Sequence, residues 1–290
     1  MDPKVLNKIS HLELKARMIV EGFIWGLHKS PYHGYSVEFA EHREYSPGDD
    51  IKHLDWKVFG RTDRLYLKQY EQETNLSSYI LVDTSESMKY KSGPVSKFEY
   101  ATYIASSLSY LTLQQQDAVG MFCFDKDVVK VVPARTNQVH MKAIVSTLAE
   151  AGNVNKTNME STLHSIAGMI KKRGMIILIS DLFDNPERIL AGLQHFRYNK
   201  NDVIVFHVMD EFETEFPFKD MTKFLGLEGY PDILADPRSL RKAYVAEVED
   251  FVTTIRRGCL KQQIDYVQVT TNQLLDVVLT TYLAKRLGRR

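Results

Sequence analysis

Asp83, Ser85 and Ser87 stand at alternate positions in Ile80-Leu-Val-Asp-Thr-Ser-Glu-Ser-Met88, a carboxylate and two hydroxyls that a tight loop turns toward one point. Three hard oxygen donors suit Mg²⁺ or Mn²⁺. Magnesium takes near-octahedral oxygen coordination at roughly 2.0–2.1 Å and keeps several waters, so a few protein ligands from separate loops suffice. The element that must position them lies immediately upstream. Ser78 to Val82 is short, apolar and partly β-branched, the composition of a strand buried on both faces. Asp83 falls at its C-terminal end, where open α/β sheets bind ligands.

Other chemistries find little support. The nine histidines are scattered and no His or Cys pair has metal-ligand spacing, which argues against zinc. The phosphate loops G-x-x-x-x-G-K-[ST] and G-x-G-x-x-G are absent, as is the G-x-S-x-G elbow of hydrolases. Asp125-Lys-Asp127 separates two apolar runs and reads as a hairpin turn. His207 lies in the apolar run 202–208 and reads as a satisfied core imidazole. Asp49, Asp50 and Asp55 accompany Arg43, Arg61 and Arg64, so internal charge pairing accounts for them. A second cation site or an acid–base pair is the competing reading there, but no nucleophile goes with it. Trp56 reads as a packing anchor, because no basic stripe accompanies it.

The chain of 290 residues is long enough for one large domain or two modest ones. Lys plus Arg equal Asp plus Glu at 37 each, and zero net charge argues against a general affinity for nucleic acid or anionic membrane. Cys123 and Cys259 lie far apart in apolar or helical contexts and read as buried free thiols in a reducing compartment. No apolar run reaches the ~20 residues of a membrane-spanning helix. Lys15, Arg17 and Glu21 interrupt the N-terminal apolar residues, so no secretory segment is expected there and the protein is placed in the cytoplasm.

Val5 to Trp25 has the spacing of an amphipathic helix, with packing on the body as its expected role. From Ser78 onward, apolar strand-like runs alternate with helical patterns: helices over 100–113, 139–148 and 161–170, strands over 118–124, 175–181 and 202–208, and a hairpin partner at 128–132. That alternation produces a mostly parallel sheet covered on both faces. It lapses over Phe212 to Pro237, an aromatic and acidic stretch with an expected hairpin at 224–229 and a place near the metal face or a docking face. A long helix from Pro237, a strand at 265–269 and a terminal helix at 274–287 complete the chain. Its final Lys285, Arg286, Arg289 and Arg290 complement the helix dipole.

Asp83-Thr-Ser-Glu-Ser87 resembles the metal-ion-dependent adhesion site of von Willebrand factor A domains. The resemblance implies two further ligands from later loops. They map onto Thr157, in Lys156-Thr157-Asn158 ahead of a helical pattern, and Asp181, at the end of Met175-Ile-Ile-Leu-Ile-Ser-Asp181. A second segment carries a wider resemblance. Arg43-x-Tyr45-x-x-Gly48-Asp49-Asp50, then Asp55-Trp56 and Lys68-x-x-Glu71-x-Glu73, is similar to the hallmark of the bacterial domain-of-unknown-function 58 (DUF58) family, and the apolar strand follows at the expected place. The expected architecture is an α/β, von Willebrand factor A-like three-layer fold over residues 76–290, with an N-terminal helix and strand-containing extension over 1–75.

What the resemblance implies is a non-enzymatic binding module. Asp83, Ser85, Ser87, Thr157 and Asp181 would hold Mg²⁺ or Mn²⁺, partly through water, and leave one position for an Asp or Glu of a protein partner. Family resemblance also implies a MoxR-type AAA+ ATPase as partner. The alternative is a Mg²⁺-dependent phosphatase or phosphotransferase using Asp83. Such enzymes normally need D-x-D, and Ser85 stands where the second Asp belongs.

Overall fold

A computed structural model describes residues 12, 14–20, 42–45, 56–62, 64–68, 77–151, 159–226 and 231–287. The chain divides into two compact units, Leu27–Asn75 on one hand and Met1–Gly26 with Leu76–Arg290 on the other. Within the smaller unit, strand β1 (His42–Glu44) pairs antiparallel with β2 (Tyr66–Lys68), Arg43 opposite Leu67, and helix α2 (Trp56–Thr62) lies between them in sequence. Asp49, Asp50 and Asp55 fall outside the described residues.

The larger unit begins with helix α1 (residues 12 and 14–20), whose Leu12 and Ala16 join its core. Next come β3 (Ser77–Asp83), α3 (Lys97–Gln114), β4 (Ala118–Phe124), β5 (Val128–Arg135), α4 (His140–Glu150), α5 (Met159–Met169), β6 (Met175–Ser180), α6 (Pro186–Tyr198) and β7 (Asp202–Met209). The short α7 (Glu211–Glu215), the hairpin β8 (Thr222–Phe224) and β9 (Ile233–Ala235), α8 (Pro237–Lys261), β10 (Asp265–Thr270) and α9 (Leu275–Leu287) complete it.

Six strands form one sheet in the order β10-β7-β6-β3-β4-β5, parallel throughout except for β5, which runs antiparallel to β4 as the expected edge hairpin. Alternate side chains feed two cores. Ile80, Val82 and Ile179 meet α1, α3, α4 and α9 on one face, while Leu81 and Leu178 meet α5, α6 and α8 on the other. Burial on both faces explains why these strands read as continuous apolar runs. The α/β arrangement expected from the sequence, a mostly parallel central sheet covered by helices on both faces, is the one observed. Among the described residues, no helix is long and apolar enough to cross a membrane.

Local chemistry sets the element ends. Ser96 and Glu99 form a reciprocal capping box at α3, Asp210 and Glu213 do the same at α7, and Asn185-Pro186 and Asp236-Pro237 start α6 and α8. Gly174 lets β6 enter beside β3, since a Cβ there would lie 2.1 Å from the Ser77 carbonyl oxygen. Val82 then stands opposite Ile179, so Asp83 comes level with Ser180 and Asp181 follows one residue on.

The 212–237 stretch departs from expectation. The hairpin is wider than 224–229, with Phe224 opposite Ile233, and α7 precedes it. Phe216 and Phe218 pack against each other and against Phe224, and Phe216 also meets Tyr244 of α8. This aromatic cluster supplies the apolar packing of the stretch.

Candidate metal site

Asp83 ends β3 and is 1% exposed. A position at the rim of the loops, which the end of a strand suggests, is not what is observed: Asp83 is buried together with Thr84, Ser85 and Ser87 of the loop that follows it. One carboxylate oxygen accepts from the Ser85 backbone N–H at 2.9 Å and the other from the Ser180 hydroxyl at 2.6 Å. The first bond curls the chain so that the Ser85 and Ser87 hydroxyls stand 3.1 Å apart, both residues buried. The D-x-S-x-S spacing thus does locally what the sequence suggested: it turns three oxygen donors into one pocket.

Asp181 arrives from β6. Its carboxylate is within hydrogen-bonding reach of the Ser87 hydroxyl and close enough to Asp83 for the two charges to repel. Leu182 follows in a left-handed conformation at φ 53°, unfavourable for a bulky side chain. The turn is held by the Leu182 N–H donating to the Ser180 hydroxyl and the Asp184 N–H donating to the Leu182 carbonyl. His207 on β7 supports the loop from behind. Its Nε2–H donates to the Asp181 carbonyl at 3.0 Å, which leaves Nδ1 to accept from the Tyr266 hydroxyl at 2.6 Å. Burial pushes His207 down to about 4, so it is the neutral, satisfied core imidazole expected.

The structure therefore brings together Asp83, Ser85, Ser87 and Asp181. Thr157 lies outside the described residues. Asp125 is in a turn, its carboxylate accepting from the Asp127 N–H at 3.1 Å. Cys123 and Cys259 are buried free thiols, each pushed up to about 12 by burial. Among the described residues, no group of three or more His, Cys, Asp or Glu side chains gathers as a metal cluster. The donors at the strand ends are two carboxylates and two hydroxyls, the hard-oxygen set of Mg²⁺ or Mn²⁺. Burial first, and then the Asp181 charge, push Asp83 up to about 7. A cation at these donors would relieve both effects, and the set fits one.

Sequence reasoning missed a second layer. Lys97, in the first turn of α3, is only 2% exposed and places Nζ 2.8 Å from Asp181 Oδ2 and 2.5 Å from Glu213 Oε1 on α7. Burial opposes the charge on Lys97, but the two carboxylates outweigh it and raise its pKa. In return Lys97 holds Asp181 below the usual carboxylate value against the opposing effect of burial. Asp210 fastens the neighbouring loops: it accepts from the Ser92 N–H at 3.0 Å and hydroxyl, the Phe212 N–H at 2.9 Å and the Thr271 hydroxyl at 3.2 Å. No helix start is expected at Asp210 from the sequence, although Asp210-x-x-Glu213 has the spacing of the capping box that the structure shows. Nothing in the sequence set Lys97 apart from a surface lysine.

Comparison with known proteins identifies the family. The family described as "Protein of unknown function DUF58" matches residues 41–253, most of the chain. The chain belongs to the DUF58 family. Uncharacterized protein Rv1480 of Mycobacterium tuberculosis is 25% identical to it over 224 residues, covering 74% of this chain and 68% of that protein. Uncharacterized protein YeaD of Bacillus subtilis is 27% identical over 123 residues, 42% of this chain and 29% of that protein. Among solved structures, the conserved hypothetical protein BatB from Bacteroides thetaiotaomicron aligns with TM-score 0.49 and 15% identity, over 73% of this chain and 99% of BatB. The SpRpn10 VWA domain aligns with TM-score 0.39 and 10% identity, over 70% and 93%. The DUF58 match spans both the Arg43–Glu73 segment and the strand-end acids.

Proposed function

We propose that this DUF58 protein is a non-enzymatic, cytoplasmic docking module whose docking group is a divalent cation. The observation that carries the reading is the convergence, at the C-terminal ends of β3 and β6, of two buried mutually repelling carboxylates with two hydroxyls. Asp83, Ser85, Ser87 and Asp181 would hold the ion, with Thr157 as the remaining donor implied by the family pattern. Bound there, Mg²⁺ or Mn²⁺ would offer a coordination position to an Asp or Glu of a protein partner. The chain's residues do the rest. The Ser85 N–H and Ser180 hydroxyl orient the Asp83 carboxylate. Neutral hydroxyl donors leave more net positive charge for the incoming carboxylate than acidic donors would. A MoxR-type AAA+ ATPase is the proposed partner, a role that rests on family resemblance and makes the module an adaptor between ATP-driven remodelling and a target.

The test is titration of Mg²⁺ and Mn²⁺ into the full chain and into Asp83→Asn, with phosphate release from generic phosphoesters followed in the same samples. Ion binding that requires Asp83 and proceeds without turnover is expected. A MoxR-type ATPase should then be retained in the presence of the ion and released by chelator. Asp83-dependent turnover would overturn the docking reading in favour of a phosphotransferase.

A further inference from the structure

Lys97 is among the largest fully buried side chains of the molecule, and its position is costly. An ammonium must be desolvated there, and it stands in the first turn of α3, where the helix dipole disfavours positive charge. The two carboxylates that offset these costs come from different places: Asp181 follows β6, and Glu213 belongs to α7 beyond β7. Asp83, across the same donor set, has only neutral donors among its described hydrogen-bond partners. One carboxylate of the candidate site is thus already neutralised from within the chain, and the other is not.

We propose that Lys97 is a tethered counter-cation that competes with the divalent ion for Asp181, releasing that carboxylate and keeping Glu213 when the ion binds. The inference rests on the metal-site reading above and adds its regulation. Its physical basis is simple. Asp181 Oδ2 accepts the Lys97 ammonium at 2.8 Å, and a divalent cation engaging the same carboxylate would stand beside a like charge in a low-dielectric pocket. Glu213, at 2.5 Å from Nζ, gives the ammonium somewhere to remain. Because Glu213 also caps α7 through the Asp210 N–H at 2.8 Å, the exchange links the metal loops to α7. Ion affinity is therefore set by an internal rival as well as by the oxygen donors.

The experiment measures Mn²⁺ affinity of the full chain by electron paramagnetic resonance, for the wild type, Lys97→Met, Glu213→Gln and Asp83→Asn. Lys97→Met is expected to bind Mn²⁺ at least tenfold more tightly than wild type and to gain a melting temperature that depends strongly on Mn²⁺. Glu213→Gln, which leaves the ammonium to Asp181 alone, is expected to bind several-fold more weakly. Asp83→Asn should not bind. In a Mn²⁺-bound crystal, Lys97 Nζ should lie out of hydrogen-bonding distance of Asp181 and against Glu213. Lys97→Met that folds only with Mn²⁺ supports the proposal. Unchanged or weaker affinity in folded Lys97→Met, unchanged or tighter affinity in Glu213→Gln, or a Mn²⁺-bound structure with Lys97 still on Asp181 would each overturn it. The Glu213→Gln and crystal results decide the matter if Lys97→Met does not fold. Absence of Mn²⁺ binding by every form would overturn the metal site itself, a result distinct from binding that ignores Lys97.

Discussion

Asp83 and Asp181 end neighbouring parallel strands, each after an apolar run, and each is buried. Their electrostatic states are nevertheless opposite. Asp83, surrounded by neutral donors and facing another acid, is pushed up to about 7, whereas Asp181, touched by the Lys97 ammonium, is held ionised. The strand end decides where a carboxylate goes, and a distant residue decides whether it keeps its charge.

The sharpest way to break that comparison is to neutralise each acid in turn, in chelator at pH 8. Asp181→Asn removes one partner from a buried ion pair and should cost about 3 kcal/mol in chemical denaturation, at the low end of such losses because Glu213 still holds Lys97. Asp83→Asn should instead stabilise the ion-free protein, by roughly 2 kcal/mol, since a carboxyl whose pKa is raised to about 7 by folding costs stability that accrues as the pH climbs from its unfolded value to that pKa and is fully present at pH 8. Two losses of similar size would show that Asp83 has a cationic partner of its own.

An effect of comparable size sharpens the Asp181 side. His207 is pushed down to about 4, from an ordinary 6.5, while its Nε2–H holds the Asp181 carbonyl. Between these values the unfolded chain binds more protons than the folded one, so stability falls as the pH is lowered. Wild type should lose roughly 3 kcal/mol between pH 7 and pH 4 that His207→Gln does not lose. Parallel pH profiles would remove His207 from the support of this loop.

The smallest effect expected is at Asp125, a third acid at a strand end. Its carboxylate accepts a turn hydrogen bond from the Asp127 N–H, and Asp125→Asn should cost no more than about 1 kcal/mol. Mn²⁺ affinity, read in the same titrations, should not change. A changed affinity would make Asp125 a participant in the site.

The sequence by itself determined the layered α/β plan, because strands buried on both faces must be apolar throughout and helices must alternate with them. It also determined the convergence of Asp83, Ser85 and Ser87, which depends on a local turn closed by the Ser85 N–H. Asp181 was legible as an acid ending a β-branched run that register places beside β3. The packing of the aromatic cluster around Phe216 was not legible, because its contacts reach Tyr244, far along the chain. Lys97 was the least legible of all. A lysine in the first turn of a helix looks solvent-exposed by every local rule, and only the tertiary structure brings Asp181 and Glu213, 84 and 116 residues away, around its ammonium. Charge state is a long-range property in a low-dielectric interior, and it was decided where the loops met.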